Sequence, residues 1–444
     1  MITPTAGRSL RDLTGSMLHD AILRSDEPGW LGQMRALMFD RFRDRGLPGE
    51  FDEQWRGTDL RSMGLLDLPI RFSYGDQNAS PIVLDGIDAA GSRSGPLPWV
   101  ATLSDSVRSF PELVRSYLFG AYTLDATPSL VALNNACLTD GAFVHLPAGH
   151  RSTRPLGVSF QPDRLSQLAC PHNVVVAAEG SRGGVIEEFR SHQPADAVEG
   201  ESRIFANAVT EVFVAPGARL DMLTLIDWDD TIRSCHRAVA HVADGGRLRW
   251  ALGTAGGRMV RVDMEVSLDG PGAESHIVGL GLGTKGRHID HRTVQHHSCA
   301  ETTSRINFGT LLTGDSKSIY RGMIRMEPGA FKADAYQKND NLILGEGPRA
   351  QAIPMLEILA DDVKCSHGST VGRLRDEDIF YMTSRGIPEI EARDLIAEGF
   401  IRRLLAAGGK ESELTQRLFT MLTERFRRDA AARTESEELV ETEP

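Results

Sequence analysis

Pro216-Gly217-Ala218-Arg219-Leu220, Gly245-Gly246-Arg247-Leu248 and Gly272-Ala273-Glu274 are three short turns, each set between two apolar, strand-like runs. The steps from Gly217 to Gly245 and from Gly245 to Gly272 are 28 and 27 residues. A fourth turn, Gly329-Ala330-Phe331-Lys332, lies 57 residues beyond Gly272, about two such steps, with Cys299-Ala300-Glu301-Thr302 near the midpoint. A fixed period of this length marks units that bury their apolar face only when neighbours stack on them. The cleanest strand, Val260, Val262, Met264, Val266 and Leu268 alternating with Arg261, Asp263, Glu265 and Ser267, has one buried face. A mainly β fold, a β-helix or solenoid, follows; the alternative is an antiparallel sandwich with evenly spaced hairpins.

Outward from this body the period changes. Ser9 caps a stretch with Leu10, Leu13, Met17 and Leu18, and beyond Pro28-Gly29 a second helix sets Leu31, Met34, Met38 and Phe42 on one face. From Gly64 to about Ser129 the pattern is mixed, with a loop at 90–96. After Arg375 helical spacing returns: Pro388 opens a helix sharing Ala397, Ile401, Leu404 and Leu405 and closed by Gly408-Gly409, and a second, about Glu411 to Arg428, aligns Leu414, Leu418, Met421, Leu422 and Phe426. These stripes exceed what one adjoining body need cover. The expected organisation is a helical or mixed region over 1–130, the β core over 131–375, a helical domain over 376–434 and a disordered acidic tail over 435–444, which holds five glutamates.

Among 444 residues, 41% hydrophobic and 25% charged exclude wholesale disorder, and 6% aromatics with 44 glycines favour turns over helix bundles. A formal charge of −12 argues against a nucleic-acid scaffold with a broad basic face. No run of 18 apolar residues and no apolar leader within Met1 to Asp20 occur, so a cytoplasmic chain without membrane insertion is expected. Cys137, Cys170, Cys235, Cys299 and Cys365 are widely and irregularly spaced, which supports neither disulfides nor a self-contained metal site.

His288, His291, His296 and His297 invite a metal reading, but on one strand they point to opposite sides, so hydrogen-bonded and outward-facing histidines are expected. No paired-carboxylate pattern, nucleophile elbow or phosphate-binding loop is present. The one chemically pointed segment is Asp361-Asp362-Val363-Lys364-Cys365-Ser366-His367-Gly368-Ser369-Thr370. Cys365 and His367, two apart, share a strand face, and thiolate with imidazole suits iron–sulfur or zinc. Lys364 beside Cys365 favours the thiolate. Two ligands fall short of four, so the others come from elsewhere in the fold or from another chain.

Residues 291–400 resemble the core domain shared by the SufB and SufD proteins of the SUF iron–sulfur assembly system, most strongly the SufD side. The resemblance rests on Ala335-Tyr336-Gln337-Lys338-Asn339-Asp340-Asn341-Leu342-Ile343-Leu344, on Pro354-Met355-Leu356-Glu357-Ile358, and on Ala360 to Gly372. Phe380-Tyr381-Met382-Thr383-Ser384-Arg385-Gly386-Ile387 and Ala392-Arg393 follow, and Glu53-Gln54-Trp55-Arg56-Gly57-Thr58 keeps part of the family's front-end signature. SufB-like chains tend to carry a cysteine in place of Asn339 and acidic residues around the histidine equivalent to His367.

The resemblance implies a right-handed parallel β-helix core between N-terminal and C-terminal α-helical regions. It implies a non-catalytic scaffold that pairs with a SufB-like chain and docks a SufC-like ABC-type ATPase through its C-terminal helices. No cofactor would be tightly bound by the isolated chain. A transient iron–sulfur cluster would form at the partner interface, with His367 as a metal ligand shared with the partner and Cys365 beside it at the same interface. Homodimerisation in the partner's absence stays open. The alternatives are a SufB-like scaffold that holds the nascent cluster itself, and a β-helix enzyme acting on polysaccharide.

Overall fold

The computed structural model describes residues 10–24, 27–49, 52–61, 65, 68, 82–85, 98–162, 168–191, 204–406 and 413–441. The front carries α1 (Gly15–Arg24), α2 (Gly29–Arg45), β1 (Ile82–Asp85), β2 (Trp99–Thr102), α3 (Leu103–Ser109), α4 (Pro111–Arg115) and α5 (Ser129–Ala136). The β body follows as β3 (Ala142–Leu146), β4 (Leu156–Phe160), β5 (Leu168–Ala169), β6 (His172–Ala177), β7 (Arg182–Arg190), β8 (Phe205–Val214), β9 (Arg219–Asp227), β10 (Arg233–Val242) and β11 (Arg247–Thr254). It continues through β12 (Met259–Leu268), β13 (Glu274–Gly283), β14 (His288–His297), β15 (Thr303–Leu312), β16 (Lys317–Met326), β17 (Asp334–Ile343), β18 (Arg349–Ile358) and β19 (Lys364–Arg373). Helices α6 (Asp376–Thr383), α7 (Glu389–Ala406) and α8 (Glu413–Glu441) close the chain.

The strands form two sheets, one ordered β1-β4-β7-β9-β11-β13-β15-β17-β19 and the other β18-β16-β14-β12-β10-β8-β6-β3-β2 with β5 paired to β8, and from β6 onward successive strands alternate between them. Among the described residues only β1 with β4 and β2 with β3 pair antiparallel; the rest is a parallel β-solenoid of the kind the turn period implies, not a sandwich of hairpins. Val260, Val262, Met264, Val266 and Leu268 face inward against Leu248, Trp250 and Leu252 of the opposite sheet.

One corner explains the period and its apparent failure. Gly180, Gly217, Gly245 and Gly272 all have φ between 58° and 68°, and each N–H donates to a carbonyl of the next coil (Pro216, Asp244, Pro271 and Ala300) at 3.0, 2.9, 3.0 and 3.2 Å. The ladder then runs through Glu301 and Lys332, at φ 58° and 56°, onto Phe331 and Asp362. The corner residue of the fourth turn is therefore Lys332, not Gly329. The glycine signal stops because side-chain-bearing residues accept the left-handed conformation there, at a cost of about 1 kcal/mol each.

Boundaries differ from the sequence reading. Helix α5 straddles residue 130, so the parallel body starts at β3. Leu10 lies in a 3-10 turn (Leu10–Asp12) and α1 begins at Gly15; Ser9, the 90–96 loop and Gly408-Gly409 lie outside the described residues. Helix α8 continues to Glu441 through the glutamate-rich stretch expected to be disordered, since Ala, Arg and Glu are good helix formers and no Gly or Pro intervenes.

The largest correction concerns the C-terminal helices. Ala397, Phe400, Ile401, Leu404, Leu405, Leu414, Leu418, Leu422 and Phe426 are buried with Leu223, Leu225, Ala251, Val278, Leu280 and Leu311 of the first sheet's outer face. The stripes the sequence left over for a partner are taken up by the solenoid itself. Asp429 clamps α8 there, accepting from Thr284 Oγ1 and Arg287 Nη1, each at 2.9 Å.

On the second sheet's outer face the front segment docks through the partly kept family signature. Trp55 lies 3.9 Å over the Arg261 guanidinium, and Thr58 Oγ1 donates to Asp290 at 2.6 Å. Gly57 departs from the signature but fits: its φ is 91°, and a Cβ there would meet Ile319 Cδ1 at 2.8 Å.

Candidate functional site at the open solenoid end

The two ends of the solenoid differ. At the front, β2 is almost wholly buried under α3 and α4. At the back, neither β18 nor β19 contains a single buried residue. Both are the last strands of their sheets, so each leaves one backbone edge unpaired among the described residues.

In-register pairing shows which side chains this uncovers. In the preceding coil, the inward positions Ala335, Gln337, Asn339, Asn341 and Ile343 are all buried. Their partners on β19 are Cys365, His367, Ser369, Val371 and Arg373, none of them buried. On β18, Leu356 and Ile358 continue the inward positions of Ile324 and Met326, yet are 37% and 43% exposed, beside Val371 at 47% and Leu359 at 51%. The core continues to the surface and stops without a lid.

Cys365 and His367 share this inner face, as two-residue spacing requires. Cys365 packs beside its register partner Ala335 against the buried cluster of Ile324, Met326, Ala330 and Ala333, and burial alone pushes its thiol up to about 11. This overturns the expectation that Lys364 favours the thiolate: as adjacent strand residues, the two point to opposite sides. Alkylation of Cys365 by iodoacetamide at pH 7.5 is expected to be about a hundredfold slower than that of a free cysteine, rising about tenfold per pH unit to near pH 11. Peptide mass spectrometry reads this; free-thiol reactivity at pH 7.5 would contradict it.

His367 is exposed, and its ring nitrogens make no hydrogen bond among the described residues. The upstream histidines contrast with it. His291 bonds Thr254 at 3.0 Å, His296 bonds Glu327 at 2.9 Å, and His297 bonds Thr302 and Ser304 at 2.8 Å each. His288 is 2.8 Å from Thr58. Burial holds His288, His291 and His297 near 4, so they are neutral hydrogen-bonding groups at neutral pH, as the strand geometry anticipated. No third His, Cys, Asp or Glu joins Cys365 and His367 in a metal-sized group among the described residues. All five cysteines are free.

Sequence reading missed Gln337, the register neighbour beneath His367. It is fully buried, and neither amide atom has a partner among the described residues. Asn339 is also buried; its amide donates to the Phe308 carbonyl at 3.3 Å and its Oδ1 accepts from Asn341 at 2.6 Å. Only the stacking register places these groups under the end face.

Among the described residues no helix is long and apolar enough to cross a membrane. Comparison with known proteins gives a consistent match. The model of the SUF system FeS cluster assembly SufBD core domain matches residues 160–400. An iron–sulfur cluster assembly SufBD family protein of Mycobacterium leprae is 32% identical over 260 residues, which span 55% of this chain and 65% of that protein. The iron–sulfur cluster assembly protein SufD of Escherichia coli K12 is 26% identical over 383 residues, 82% of this chain and 85% of that protein. A SufBD family protein of Staphylococcus epidermidis is 26% identical over 383 residues, covering 84% and 80%.

Proposed function

The chain belongs to the SufBD core family of SUF-system FeS cluster assembly, and on that premise we propose that it is a non-catalytic, cytoplasmic scaffold subunit pairing with a SufB-like chain through its open solenoid end. The observation that carries this is the bare last coil, with two unpaired edges and an uncovered apolar core at Leu356, Ile358 and Val371. A partner of the same architecture would extend both sheets by strand addition and bury that core. The nascent iron–sulfur cluster is then cargo at the join. His367 offers an unbonded ring nitrogen, Cys365 a thiol that must lose its proton to ligate, and the partner the remaining thiolates.

A SufC-like ABC-type ATPase would dock on the C-terminal helices. Support for this comes from their outward side, since the inward stripes are occupied: Phe380, Tyr381, Ile390 and Leu395 are 72%, 57%, 59% and 45% exposed.

The test is co-expression of the chain with a SufB-like and a SufC-like protein. The double variant Ile358→Glu/Val371→Glu should lose SufB-like co-purification at least tenfold, while retaining the ATPase and the melting temperature of the isolated chain. Any homodimer of the isolated chain through this face should dissociate too. Undiminished pairing, both with this variant and with Leu359→Glu, would overturn the proposal.

A further inference from the structure

The corner that sets the period also builds a column of like charge. Four coils read Gly149-His150-Arg151, Gly180-Ser181-Arg182, Gly217-Ala218-Arg219 and Gly245-Gly246-Arg247. The parallel register puts Arg151 beside Arg182, Arg182 beside Arg219 and Arg219 beside Arg247, with adjacent strands about 4.8 Å apart. Only Arg247 has an ion-pair partner, Glu274 at 3.1 Å; Arg151, Arg182 and Arg219 have none among the described residues. Like charges directly opposite one another on neighbouring strands are destabilising. On the second sheet, by contrast, an acidic residue separates two arginines: Arg237 and Arg292 flank Asp263 in register, each 2.7 Å from its carboxylate. Arg182 is pulled below its ordinary value by Arg151 first and Arg219 next, the mark of uncompensated repulsion.

Three members of the column line a concavity: Arg182, Arg219 and Arg247 join Arg154 and Arg249 around a cavity of about 360 Å³ open to solvent, whose lining also includes Gly183, Gly184 and the first residues of α8. Among the described residues, Asp221, itself 4.0 Å from Arg249, and Glu413 are the only acidic members of the lining. Five cations against two anions, in a chain of net charge −12, concentrate positive potential in one concave place. The volume falls in the range of ligand cavities, about 300–1,000 Å³. Among the described residues the lining has no aromatic ring, and Pro155 and Leu414 are its only sizeable apolar side chains. Nothing there stacks on a base, as single-stranded nucleic-acid sites require. Guanidinium forks match phosphate oxygens two at a time.

We propose that this cavity, remote in sequence from the Cys365–His367 face, is a binding site for a phosphate chain, either a free polyphosphate anion or the phosphate tail of a nucleotide. Occupancy neutralises the column that folding brings together, so the ligand and the solenoid corner are mutually stabilising.

Isothermal titration of the full chain with tripolyphosphate, with ATP and with adenosine, at fixed ionic strength, tests it. Tripolyphosphate should bind saturably and adenosine should not. ATP equal to tripolyphosphate identifies the phosphate chain as the whole determinant; tighter ATP assigns the nucleotide as its source. Arg182→Gln/Arg219→Gln should weaken binding at least tenfold while the unliganded melting temperature stays equal or rises, since repulsion is removed. Absence of saturable binding above the chloride control would overturn the proposal. So would unchanged affinity in the double variant, or tighter binding of an acidic peptide or single-stranded DNA.

Discussion

Replacing Asp290 by alanine is expected to lower the stability of the solenoid by about 3–5 kcal/mol, because the change strands buried guanidinium groups without their counter-charge. The Asp290 side chain is fully buried on the outer face of β14. Its Oδ2 accepts from Arg261 Nη1 at 2.6 Å and from Thr58 Oγ1 at 2.6 Å, and its Oδ1 accepts from Arg321 Nη1 at 2.9 Å. Arg261 and Arg321 are 1% and 6% exposed. Asp263, 3.6 Å from Arg261, offsets only part of the loss. The same carboxylate ties the Trp55–Thr58 segment to the body, so the front region should loosen with it. Urea unfolding measures the effect. Asp334→Ala, removing an exposed pair with Arg305, should cost less than about 1 kcal/mol. Equal losses in the two variants would contradict the buried-network account.

Much of this fold is written locally, and what is missing was not local. The spacing of Gly217, Gly245 and Gly272 fixes the coil length because each glycine occupies the same left-handed corner. Beyond Gly272 the corner passes to Glu301 and Lys332, so a reader following glycines sees a gap where the stack is unbroken. Strand spacing likewise put Cys365 and His367 on one face, but Cys365's protonated thiol depends on contacts with Ala335, one coil away. Helical spacing identified Leu404, Leu418 and Leu422 as an apolar stripe. That stripe's partner is Leu223, Leu225 and Leu280, and no pattern within a helix names the surface it will cover. The fourfold Gly-x-Arg repeat was visible too, yet its charge problem exists only once register stacks the arginines.

His367→Ala is expected to reduce iron–sulfur cluster formation at least tenfold in cells that depend on the system, with the chain still folded and paired. The reason is geometric. His367 is exposed, its nitrogens are unbonded, and its loss empties no core volume. Cys365→Ala should be milder, since a thiol held up near 11 by burial contributes little thiolate before metal arrives. Activity of dependent iron–sulfur enzymes in complemented cells reads both; wild-type activity in the histidine variant would remove His367 from the mechanism.

The most direct measurement labels only this chain with ¹⁵N-histidine, assembles the complex with unlabelled partners, and records the hyperfine spectrum of the reduced cluster. A ligand from His367 predicts that a nitrogen coupling to the cluster changes from the ¹⁴N to the ¹⁵N pattern. An assembled cluster whose spectrum is identical with and without the label would contradict the claim that this chain's open end contributes a ligand to it.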